Sequence, residues 1–274
     1  MYNQEVWLRS RSQMTTFFFR YAPPKFGQDN EDGEDLTNDV SVKKPYPKAK
    51  RWECSVYYYW WQFLCINPEY RREARLGAES KSRVARDFRD PTRFTDFEEW
   101  WREVGRYLFC EPRERGIRWA SNPSDLPRSD GCVYVSVPFR FDIEQAVAQL
   151  RDILKPQMDA MKAEKGGSGA KYPVFTKPVL PALHKRLEVL RCRDQRMTLD
   201  EVGRELRIGP QDDSAAARHM REVSVARYYR EAKTLRDFAA RGHFPVTDAK
   251  AFEAAQKRRF AEIEAAKGRS GPPE

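Results

Sequence analysis

The stretch from Thr198 to Pro210 constrains the fold of this chain more than any other. Thr198 and Glu201 stand three residues apart, the spacing at which two side chains satisfy each other's backbone N–H groups at a helix start. Leu199, Val202 and Leu206 then recur at helical spacing, which predicts a short helix with one buried face. Gly203 lies inside that helix, where a missing Cβ lets a second helix come close. Gly209 and Pro210 end the helix, and Ile208 is placed to plug the turn. Upstream, Pro181 to Asp194 carries Leu183, Leu187 and Leu190 on one face and reads as a preceding helix. Downstream, Asp212, Asp213 or Ser214 can cap a third helix, in which Ala215, Ala216, Ala217 and Met220 favour close packing. Val225, Tyr228, Ala232, Leu235 and Ala239 continue a stripe as far as Gly242. Packing on the body of the protein explains that stripe better than a dimer seam, because Tyr and Ala make a poor coiled-coil contact.

Charge is unevenly spread. The chain carries a net +9, yet residues 1–170 hold 28 Lys and Arg against 26 Asp and Glu. Residues 171–274 hold 22 against 15, so the excess sits with the three predicted helices. A clustered basic excess favours a polyanionic partner, since neutralising phosphates releases counterions.

The segment from Pro181 to about Arg230 resembles the helix-turn-helix of bacterial transcription regulators and sigma-factor-like modules. The turn departs from that pattern, because Gly209 to Asp213 is longer and more acidic than usual. The resemblance implies duplex DNA as partner, with the third helix in the major groove. Gln211, Ser214, Arg218, His219 and Arg221 would then lie near bases or phosphates. Arg227, Arg230 and Lys233 would meet phosphates further along. The competing reading is a three-helix bundle for protein contact, with its arginines on a solvated face. Dimerisation is common in such modules, so a homodimer stays open.

The N-terminal part is aromatic. Trp52, Tyr57, Tyr58, Tyr59, Trp60, Trp61 and Phe63 crowd one predicted helix, with Tyr57, Trp60, Trp61 and Leu64 as its core face. Beside Arg51, Arg71, Arg72 and Arg75, such rings could also stack on single-stranded bases. Tyr58, Tyr59 and Gln62 are the expected exposed remainder, a face for a protein partner. Asn67 and Pro68 start the next helix. Thr95 to Phe109 is an amphipathic helix with a box of Thr95 and Glu98. Cys132 to Pro138 alternates like a strand. Asp142 caps a helix bearing Ile143, Ala146, Val147, Leu150, Ile153 and Leu154 on one face. Residues 27–48 lack apolar periodicity and read as a mobile arm.

The expected fold is mainly α (α+β). It comprises an arm over 1–50, an aromatic-rich domain with a short sheet over 51–164, and a Gly/Ser linker over 165–172. A helix-turn-helix domain over 173–245 and a C-terminal helix and tail over 246–274 complete it. The linker lacks the Gly-Lys-Ser/Thr ending of a phosphate-binding loop.

No catalytic site, metal site or cofactor is expected. His184, His219 and His243 lack metal-ligand spacing, and the five cysteines form no CxxC pair, as expected of reduced thiols in a cytoplasm. Asp87, Asp90, Asp96, Glu98 and Glu99 could hold magnesium for a nuclease, although helix capping explains them equally well. No segment reads as a secretory leader or a membrane span. The expectation is a cytoplasmic, nucleoid-associated, non-enzymatic DNA-binding regulator or accessory factor of a bacterium, phage or mobile element. The alternatives are a protein- or RNA-interaction subunit of a nucleoprotein or defence assembly, and a metal-dependent nuclease.

Overall fold

A computed structural model of the chain describes residues 17–26, 43–111, 135, 142–165, 168–174 and 176–269. The chain divides into two compact units, Met1–Pro112 with Ser168–Gln256, and Arg113–Gly167 with Lys257–Glu274. The described residues are mainly helical. In the first unit, α1 is Val56–Cys65, α2 is Pro68–Arg75 and α3 is Arg83–Phe88. Helix α4 joins Phe97–Trp100, a π-type turn Trp101–Gly105 and Arg106–Phe109. In the second unit, α5 is Ile143–Lys165. The three C-terminal helices of the first unit are α6, Leu180–Asp194, α7, Leu199–Glu205, and α8, Ala215–Ala239. Helix α9, Ala249–Arg269, closes the described chain.

One aromatic core runs through the first unit. Trp60 is fully buried, with Phe109, Phe88 and Phe244 ringing it at centroid distances of 5.1, 5.6 and 5.4 Å. Leu183, Leu187 and Leu190 of α6 and Ala232, Leu235 and Ala239 of α8 belong to the same cluster. The indole N–H of Trp60 donates to Ala239 O at 3.2 Å, and the Asn67 side-chain amide donates to Arg236 O at 3.3 Å. The expected boundary between 51–164 and 173–245 therefore does not separate two cores. Helix α1 is apolar on nearly every side, and the neighbouring N-terminal helices cover only part of it. The apolar faces of α6 and α8 cover the rest, and their burial stabilises both parts together.

Several local expectations are corrected. Ser168 and Ala170 of the expected linker are buried, and Gly169 N and Ala170 N donate to Glu111 at 2.6 and 3.2 Å. Within the expected arm, Phe17 and Phe19 are buried against Tyr107 and Trp101, and Tyr46 donates to Glu53 at 2.5 Å. Residues 1–16 and 27–42 of that arm lie outside the described residues. Helix α4 is capped by Asp96, whose Oδ1 accepts from Glu99 N at 2.9 Å, while Thr95 N donates to Glu99. The cap thus sits one residue later than read, at Asp96, with a carboxylate against the helix dipole, and Glu99 reaches back to Thr95 rather than closing a reciprocal box.

The short sheet is not supported, because no strand occurs among the described residues, only isolated bridges of Phe18 with Glu111 and Val174 with Phe244. The predicted strand Cys132 to Pro138 lies outside the described residues, apart from Val135, which has no regular structure. Asp142 does cap α5, through Glu144 N and Gln145 N. The apolar face of that helix is largely uncovered, with Ile143, Val147 and Ile153 exposed.

Candidate nucleic-acid interface

Helices α6, α7 and α8 form a compact trihelical module. Thr198 Oγ1 accepts from Glu201 N at 3.3 Å, and Glu201 accepts from Thr198 N at 2.6 Å. Val189, Cys192, Val202, Ile208 and Val225 make its small core, with Met197, Leu199 and Leu206 at the edge. Helix α7 ends at Glu205, and the residue that reverses the chain is Arg207, with φ 50°. Ile208 N then donates to Gly203 O at 2.8 Å, and the Ile208 side chain is buried.

Arg221 organises the long acidic turn. Ala217, Arg221 and Val225 are four residues apart on the inward face of α8, and Arg221 is fully buried. Its stem lies on Gly203, where an added Cβ would meet Arg221 Cβ at 2.9 Å. Gly209, at φ 82°, also lies against it, and a Cβ added there would stand 3.3 Å from Arg221 Cγ. The guanidinium Nε donates to Asp200 at 2.6 Å, and Nη1 donates to Pro210 O at 2.8 Å and Asp212 O at 2.7 Å. One arginine thus binds the first turn of α7 to the Gly209–Asp213 turn and to α8. The hydrogen bond from Arg221 holds the Asp200 carboxyl below its ordinary range, and Arg204 adds to this from the other oxygen at 3.0 Å. Arg221 was expected among the DNA-contacting residues. The structure places it in the interior, and its role is to shape the turn.

Two further expected contacts are committed to the same turn. The Gln211 amide donates to Gly209 O at 2.8 Å. Ser214 caps α8, accepting from Ala217 N at 3.1 Å, and its hydroxyl donates to Asp212. Arg218 is 65% exposed and pairs with Glu222 at 3.1 Å. His219, Arg227, Arg230 and Lys233 are exposed. Arg227 lies over the Tyr228 ring at 5.3 Å and Lys233 over Tyr229 at 4.8 Å. Sequence reasoning missed Arg186 and Arg193 of α6, which lie 5.6 Å from the same two rings, and Arg186 also pairs with Glu231 at 2.6 Å. Helical spacing gathers Ala216, His219, Met220, Val223, Arg227 and Arg230 on the outward face of α8.

Comparison with protein-family models, with curated proteins and with solved structures finds no match.

The aromatic helix offers less surface than expected. Tyr59 is fully buried against Tyr58 and His184, so it is not part of the expected exposed face. Tyr58 and Gln62 remain half-buried, and Gln62 accepts from Arg191 at 2.7 Å. Burial pushes the Tyr58 hydroxyl up to about 12. Tyr57, Trp60 and Leu64 are core, as their spacing implied, while Trp61 of the same expected face is half-buried, which leaves few rings for stacking on bases.

The carboxylates considered for magnesium have other partners. Asp87 accepts from Lys171 at 2.7 Å and from Tyr172 at 2.6 Å. Asp90 accepts from Thr92 N at 3.0 Å, and Glu98 pairs with Arg102. Among the described residues no group of three His, Cys, Asp or Glu could hold a metal ion. Burial pushes the Cys65 and Cys110 thiols up to about 12 and about 11, the direction of poor nucleophiles. Among the described residues no helix is long and apolar enough to cross a membrane.

Proposed function

We propose that this chain binds duplex DNA through the α6–α7–α8 module. It would act without catalysis, as a regulator or accessory factor on bacterial, phage or mobile-element DNA in the cytoplasm. The observation that carries this reading is the outward face of α8. It presents His219, Arg227 and Arg230 together, with no carboxylate partner among the described residues, on the third helix of a capped trihelical module. The basic excess of residues 171–274 supports it. Arg227 and Arg230 serve as phosphate contacts that position the helix, and His219 reaches towards base edges.

The test uses the full chain, because α6 and α8 share their core with α1. Binding of a fluorescent random-sequence duplex pool is followed by anisotropy at several salt concentrations. Replacing Arg227 and Arg230 together by Gln is expected to weaken binding across all sequences. It should also reduce the slope of log affinity against log salt by about 2. Absence of duplex binding at low salt, or a slope unmoved by the double variant, overturns the reading.

A further inference from the structure

The outward face of α8 is basic at its far end and apolar at its centre. Met220 and Val223 are 56% and 57% exposed, with Ala216 one turn before them, and these three form a stripe along the helix. Seven residues of helix span about 10 Å, the length of roughly three base-pair steps of about 3.4 Å. We propose that this stripe reads the methyl groups of thymines in the major groove, an inference that rests on the duplex-binding reading above.

Three features support it. Polar readout of guanine needs Arg or Lys, and of adenine Asn or Gln. The centre of this face has none of these, and its one polar side chain is His219, at the edge of the stripe. Arg221 is buried, Gln211 and Ser214 are bonded into the turn, and Arg218 lies to one side in a pair with Glu222. What the centre does offer is apolar surface, and the base feature in the groove that rewards it is the thymine C5 methyl. Asp212 and Asp213 stand at the N-terminal lip of α8, with Asp213 85% exposed. Asp213 is paired with Arg204 at 2.6 Å, but Asp200, Asp212 and Asp213 together outnumber Arg204 and the buried Arg221. The lip therefore keeps a net negative charge that disfavours phosphates, and α8 meets DNA along its side, with Arg227 and Arg230 on the backbone beyond the stripe.

The experiment selects duplexes from a random pool with the full chain, then remakes the selected duplexes with deoxyuridine in place of thymidine. That change deletes the methyl and keeps pairing and charge. The expected result is enrichment of adjacent thymines and a loss of about 4-fold in affinity per contacted methyl. The salt slope should not change. Met220→Ser with Val223→Ser, at two exposed positions, should abolish the difference between thymidine and deoxyuridine duplexes while leaving salt-dependent binding. Equal affinity for the two duplexes overturns methyl readout and leaves duplex binding standing. A double variant that binds and discriminates like the parent overturns the proposal. Absence of any duplex binding overturns both this proposal and the reading beneath it.

Discussion

Replacing Arg221 by Met tests the organisation of the module most directly. Methionine keeps an unbranched apolar stem against Gly203 and Gly209 and removes the guanidinium. Pro210 O and Asp212 O then lose a charged donor at 2.8 and 2.7 Å. A net hydrogen bond from a charged group is worth about 1.5–3 kcal/mol. The turn is solvent-facing, so water can partly replace the donor, and the lower end applies to each bond. Asp200 retains Arg204 and adds nothing to this figure. The expected loss is about 3 kcal/mol, which for a unit of this size lowers the melting temperature by roughly 6–12 °C. Arg221→Ala also loses the stem, about 2 kcal/mol more at about 0.8 kcal/mol per methylene. Arg218→Met is the control, because an exposed pair contributes about 0–1 kcal/mol. Thermal unfolding followed by circular dichroism of the full chain reads all three. An Arg221→Met protein that melts with the parent, or no lower than Arg218→Met, refutes the keystone role.

Gly203→Ala should destabilise by about 1–3 kcal/mol despite the better helix propensity of alanine, since its methyl would meet Arg221 Cβ at 2.9 Å. Urea titration checks this, and a stabilised variant would contradict the close approach. The carboxyls of Asp200, Glu201 and Asp212 are all held below their ordinary values, by hydrogen bonds from Arg221, Thr198 and Ser214 respectively. Their ionised forms therefore stabilise the fold above the usual carboxylate range, and that stability is lost as pH falls through the depressed values. The urea midpoint should fall below about pH 4, and Asp200→Asn should reduce that fall. Trp60→Ala removes a fully buried ring and its bond to Ala239 O, at a cost of about 3–5 kcal/mol. Because α1, α6 and α8 share one core, near-ultraviolet and far-ultraviolet signals should still move together, and a separate transition for 173–245 would contradict the shared core.

The sequence alone determined the local elements. The Thr198–Glu201 box, the cap and proline at Asn67 and Pro68, and the buried stripe Val225, Ala232, Leu235 and Ala239 are written in neighbouring residues. Such features depend on contacts within one or two turns, so their spacing carries them. Arg221 was half-legible. It shares the four-residue spacing of Ala217 and Val225, which marks the inward face, but its charge argued for solvent. Only the tertiary structure resolved that conflict, because burial of a guanidinium depends on partners from outside its own helix, here Asp200 and the carbonyls of Pro210 and Asp212. The same holds for the boundary expected at 165–172. Composition marked a flexible linker, while Trp60, Tyr59 and Phe63 needed more apolar cover than their own segment holds. Helices from the far side of the linker supplied it, and that long-range burial has no local signature in the chain.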